Sequence, residues 1–166
     1  MIPAPIPEND QQRVAALHAL LILDTPPEER FDRIVAFAAT ELEMPTVLVS
    51  LVDADRQWFK SSIGMDVCET PRSISFCGHA IAGRDIFIVP DTRADARFAD
   101  NPLVAGAPFI RFYAGAPLIL SSGHAVGTFC VLDTKTRVLD PIELFIMSDL
   151  RNLIVNELEA SKTNTA

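Results

Sequence analysis

The run from Phe112 to Leu132 constrains the fold more than any other stretch of the chain. Two apolar segments, Phe112 to Ile119 and Ala125 to Leu132, flank Ser121-Ser122-Gly123-His124. A glycine between such runs supplies the positive φ that a tight reversal needs, so the two pair as an antiparallel hairpin. Pro45 to Val52 (PTVLVSLV) and Gln57 to Ser62 repeat this logic around Asp53-Ala54-Asp55-Arg56. In Gln57 to Ser62, alternation puts Trp58 and Lys60 on one face and Gln57, Phe59 and Ser61 on the other. Ile86 to Val89, closed by Pro90, adds a short fifth strand.

Helical signals lie before, between and after these strands. Val14, Leu17, Leu20 and Leu21 form one face of a helix that Asp10 or Asn9 caps. Thr25-Pro26-Pro27-Glu28 has the spacing of a capping box, and Phe31, Ile34, Val35, Ala38 and Leu42 give the helix after it an apolar stripe. Ser73 or Ser75 caps a short helix from Phe76 to Ala82, which Gly83 ends. Asp140-Pro141-Ile142-Glu143 opens a last helix through Leu144, Met147, Leu150, Ile154, Val155 and Leu158. With no run of βαβ units, this order predicts an α+β fold, an antiparallel sheet with helices on its faces. Pro3, Pro5 and Pro7 make residues 1–9 a flexible arm that packs little, residues 10–161 form one domain, and residues 162–166 fray. Asp91 to Arg111 is long for a connection, and such loops serve function or move.

Charge and motif content narrow the function. A net charge of -8 repels phosphate backbones and anionic headgroups, so neither nucleic acid nor a membrane surface is expected as a partner. Asp24, Asp53, Pro90 and Asp133 interrupt the apolar runs, and MIPAPIPEND lacks the features of a secretion signal. Cys68, Cys77 and Cys130 are too few and scattered for a disulfide framework, which predicts reduced thiols in the cytoplasm. There is no G-x-S-x-G, P-loop, H-E-x-x-H or paired C-x-x-C. No catalytic residue, metal ligand or particular cofactor is therefore assigned.

Five strings span nearly the whole chain and resemble bacterial GAF domains of the kind found in sensor kinases and cyclic-dinucleotide enzymes. They are ILDTPPEERFDRI (Ile22 to Ile34), VSLVDADRQWFKSSIGMDVCETPRSISFCGHAI (Val49 to Ile81), VPDTRADARFADNPLV (Val89 to Val104), IRFYAGAPL (Ile110 to Leu118) and GTFCVLD (Gly127 to Asp133). The resemblance implies a profilin-like or PAS-like sheet of five or six antiparallel strands in the order 2-1-5-4-3, flanked by helices. It also implies that the first and last helices share one face and that ligands bind on the other, beneath Phe76 to Ala82 and the long loop. The function it implies is sensory: a small molecule or redox change near the loop biases the end helices, which pair in a homodimer. A ligand-free dimerisation module is the alternative. A third reading is a free methionine-(R)-sulfoxide reductase, since Cys68 and Cys77 look like two of that family's cysteines. That reading lacks its attacking thiol, because no cysteine lies between Cys77 and Cys130.

Within this frame the candidate ligand-binding residues are His79, Arg111, Tyr113, Trp58, Phe98, Cys77 and Asp91. His79 is either a polar anchor in the pocket or a partner of the neighbouring loop, while Cys77 can equally be a core thiol. Arg111, two residues before Tyr113, is either an anion clamp beside the phenol or a pin that holds the loop through Asp91, Asp95 or Asp100. Trp58 and Phe98 are pocket walls or plain core.

Overall fold

The computed structural model describes residues 1–164, with the helices α1 (Asp10–Ala19), α2 (Glu29–Glu41), α3 (Phe76–Ala80), α4 (Pro102–Ala105) and α5 (Pro141–Asn164). The strands are β1 (Thr46–Val52), β2 (Arg56–Ile63), β3 (Glu69–Pro71), β4 (Phe87–Val89), β5 (Phe112–Ile119) and β6 (Ala125–Asp133). All pair antiparallel in the order β3-β2-β1-β6-β5-β4. The expected order of five strands is thus found, and β3 extends it at the β2 edge. The frayed tail expected at 162–166 runs past the described residues; its first part continues α5 to Asn164.

The β5–β6 turn forms as its residues require: Gly123 has φ +91, and its amide donates to the Leu120 carbonyl at 2.8 Å. Asp140 and Glu143 exchange side-chain-to-amide bonds of 3.0 and 2.8 Å, a completed capping box at the start of α5. The box expected at Thr25 does not form. The Thr25 hydroxyl donates to the Ile22 carbonyl, and Glu28 takes the N-cap position with its carboxylate 2.7 Å from Lys60 Nζ. Lys60 is buried and needs a counter-charge, which claims the glutamate.

The alternation expected in β2 holds for Trp58 and Lys60 on one face and Gln57 and Phe59 on the other, and breaks at Ser61. The register shifts between Val49 and Ser50, so Ser50 pairs with Phe59 while Val49 pairs with Ser61. Lys60 is the extra residue of this β-bulge. Lys60 and Ser61 consequently both turn to the helix side, where the Ser61 hydroxyl donates to Asp32.

α1, α2 and α5 cover one face. Leu17, Phe31, Val35, Met147 and Ile154 pack there on Val47, Val49, Phe112, Ala114 and Val131, all buried. Each of these side chains larger than alanine contributes roughly 1.5–3 kcal/mol of burial. α3, α4 and the long loop cover the other face with Phe76, Phe98, Val104 and Ile110. Among the described residues no helix is long and apolar enough to cross a membrane.

The arm of residues 1–9 is more engaged than its prolines suggest. Ile2 and Ile6 are exposed, yet the Ile2 amide donates to the Arg97 carbonyl at 3.2 Å, and Ala4 lies against Gly78.

Candidate functional site

The loop-covered face holds a cluster of small polar groups inside an apolar shell. β1 contributes Ser50, β6 contributes Thr128 and Cys130, and β5 contributes Tyr113, all buried. Two-residue periodicity puts Thr128 and Cys130 on one face of β6. α3 starts where the Ser75 hydroxyl accepts the Gly78 amide at 3.0 Å, and its first turn lowers Cys77 onto these strands.

Cys77 Sγ is the hub. It accepts the Thr128 hydroxyl at 3.0 Å and the Tyr113 hydroxyl at 3.3 Å, and it lies 3.9 Å from Cys130 Sγ. Tyr113 can reach it because its ring lies across Gly115, where any Cβ would overlap the phenol oxygen. The Tyr113 ring stacks on Phe76 at 5.1 Å, and Phe76 stacks on Phe98 at 4.6 Å. Below the cluster the Ser50 hydroxyl donates to Gln57 Oε1 at 3.1 Å, and Gln57 Nε2 donates to Thr70 at 2.6 Å.

Burial alone disfavours a thiolate at Cys77, but the hydrogen bonds from Cys130, Thr128 and Tyr113 outweigh it and lower the pKa. Cys130 goes the other way: burial raises it, and so does its bond to Cys77. Burial likewise raises the Tyr113 phenol, with Cys77 and Cys130 adding to the effect. Cys77 is thus the more acidic thiol of the pair.

The chamber expected on this face is almost filled. A cavity of about 20 Å³ remains between Leu48, Phe59, Met65, Leu103, Ile110, Cys77 and Cys130. That is room for one water and not for a metabolite. A larger ligand would have to displace Leu103 and Ile110 together with the segment that carries them.

The seven expected site residues do not converge. Cys77 and Tyr113 touch the cavity, and Phe98 roofs Phe76. Trp58 points the opposite way, into the core beneath the helices, because it sits on the helix-side register of β2. His79 faces the arm, with Nε2 3.1 Å from the Ile2 carbonyl and its ring edge-on to Phe98 at 4.8 Å. Burial lowers its pKa, partly countered by that carbonyl. Arg111 pairs with Asp91 at 3.1 Å, and Asp91 also accepts the Arg93 amide. These two pin the loop and form no clamp with Tyr113, whose hydroxyl is taken by Cys77.

Ser50, Thr128 and Cys130 escaped the reading of the sequence. Their signal was present: small polar side chains at inward positions of otherwise apolar strands. Among the described residues no three His, Cys, Asp or Glu side chains gather as metal ligands, and all three cysteines are free thiols, with Cys68 exposed.

Comparison with known proteins adds the family. The chain is 44% identical over 137 residues to a cyclic di-GMP phosphodiesterase of Pseudomonas aeruginosa, a match that covers 82% of this chain and 23% of that protein. The chain therefore spans about a quarter of that relative's length. The GAF domain of an Acinetobacter phosphoenolpyruvate-protein phosphotransferase shares the fold with a TM-score of 0.67 and 14% identity, covering 95% of this chain and 96% of its own. A free methionine-R-sulfoxide reductase of Neisseria meningitidis does so with a TM-score of 0.67 and 16% identity, covering 99% and 98%. The GAF domain profile matches residues 26–158, which contain every strand of the sheet and all the helices but α1 and the end of α5, and the chain belongs to the GAF domain family.

Proposed function

We propose that the chain is a non-catalytic regulatory GAF module of the cytoplasm that acts as a homodimer through α2 and α5 and, by likeness to its phosphodiesterase relative, serves cyclic di-GMP turnover. The observation that carries this reading is an apolar groove between α2 and α5, lined by Ile34, Phe37, Leu150 and Leu153 and rimmed by Arg30, Arg33 and Glu157. Phe37 is 54% exposed and Leu153 50%. An apolar strip with a charged rim on a surface helix pair is the usual anatomy of a protein interface. Light scattering after size exclusion tests the reading: a dimer is expected, and Leu153→Arg should return it to monomer with little change in melting temperature. A wild-type monomer at high concentration would remove the homodimer.

A small ligand enters this reading only with an opening of the loop side, since the cavity there is water-sized. A metabolite present at about 100 times its dissociation constant would stabilise the fold by about 2.7 kcal/mol, which a melting screen detects. The non-catalytic assignment rests on the missing thiol in the long loop. Turnover of free methionine sulfoxide with a thiol reductant would overturn it.

A further inference from the structure

We propose that Cys77 and Cys130 are a peroxide-oxidisable pair that closes to an intramolecular disulfide inside the covered face of the sheet. The two sulfurs come from elements 53 residues apart in the chain and meet at 3.9 Å. A disulfide needs about 2.05 Å, a closure of roughly 2 Å that rotation about the cysteine side chains and a small settling of α3 can supply.

The surroundings favour reaction at Cys77. Thr128 and Tyr113 aim hydroxyl donors at its sulfur, which stabilises the thiolate that a peroxide needs as nucleophile. Cys77 and Cys130 both line the 20 Å³ cavity, and its other walls are mostly apolar, so the oxidant must be small and uncharged. Hydrogen peroxide, little larger than the water such a space holds, meets that condition.

The chemistry closes on these two residues and one peroxide. The Cys77 thiolate attacks one peroxide oxygen, the O–O bond breaks, and the departing hydroxide takes the proton that the thiol released, giving water and a Cys77 sulfenic acid. The Cys130 sulfur then attacks Cys77 Sγ, the S–O bond breaks, and hydroxide leaves with the Cys130 proton as a second water. Two thiols lose two electrons in all, and one peroxide becomes two waters.

The bond would tie α3 to β6 and release the Thr128 and Tyr113 hydroxyls from their thiolate. Those strands carry α5 on their other face, so the change has a route to the helical side. The chemistry of the pair does not depend on what the helices bind.

The test uses the intact protein, treated with hydrogen peroxide, then unfolded in acid, alkylated and mapped by mass spectrometry without reductant. The expected product joins the Cys77 and Cys130 peptides with the loss of two hydrogens, reverts with dithiothreitol, and forms equally in Cys68→Ser. Recovery of Cys77 and Cys130 as alkylated thiols while Cys68 is oxidised would overturn the proposal, as would a Cys68–Cys77 bond or a Cys77 that ends as sulfinic acid. Light scattering on the same samples reads the dimer separately, so either idea can fail alone.

Discussion

Towards α1, α2 and α5 the middle of the sheet presents Val47, Val49, Ala114, Phe129 and Val131; towards α3 and the long loop the same strands present Ser50, Tyr113, Thr128 and Cys130. The first surface is held by long helices and needs only volume to be filled. The second is closed by a five-residue helix, a four-residue helix and two 3₁₀ turns, and it encloses groups that water would otherwise satisfy. Polar atoms out of water cost free energy unless each is paired, so this face depends on its internal hydrogen bonds where the other depends on apolar packing. The contrast leaves apolar packing to the helical face and the polar and sulfur groups to the covered one.

The largest effect expected from this contrast is at Phe31, fully buried on the inner face of α2. Phe31→Ala should cost about 3–5 kcal/mol in urea denaturation, because α2 and α5 cannot collapse into the hole. Phe98→Ala, equally buried on the other face, should cost about 2 kcal/mol less, since its short elements can settle. Equal losses would break the division of labour.

Asp10 joins the two faces by charge and should come next. Its carboxylate accepts from Arg72, which leads towards α3, at 2.8 Å and from Arg13 at 2.9 Å, and both arginines are buried. Asp10→Ala should cost about 3 kcal/mol, the penalty of stranding buried cations. The same residue gives a pH signature. Bonding to Arg72, opposed by burial and reinforced by Arg13, holds the carboxyl below its ordinary 3.8. Its stabilisation is therefore complete above that value and is lost as pH falls through the lowered one. The urea midpoint of the wild type should converge on that of Asp10→Ala in strong acid.

The smallest effect belongs to the loop pin. Arg111→Ala removes a partly exposed pair worth under about 1 kcal/mol, so global stability should hardly move while amide exchange across residues 91–111 quickens. A matching loss of global stability would mean that the loop is part of the core and would sharpen the boundary between the two regions.

Local grammar made much of the sheet legible in the sequence. Both hairpins, the β4 strand and the capping box at Asp140 follow from residues close in the chain. What escaped depends on distant partners. Glu28 abandons its expected cap because the buried Lys60, more than thirty residues on, needs its charge; β3 is three residues long and carries no periodicity. Trp58, a pocket wall or plain core by its sequence alone, is core because its strand register turns it to the helices. Cys77 and Tyr113 were named from their neighbourhood in the chain, but Cys130 lies in a plain apolar strand, and only the folded sheet brings its sulfur to Cys77.

Gly115 leaves an empty lane along β5, and Tyr113 lies down in it. Even a methyl group would stand where the oxygen rests, and the ring would have to rear up against Phe76. The smallest residue of the strand thereby sets the tilt of its bulkiest neighbour. Whatever electronic character the buried sulfur has is written partly in a hydrogen atom two positions downstream of the phenol.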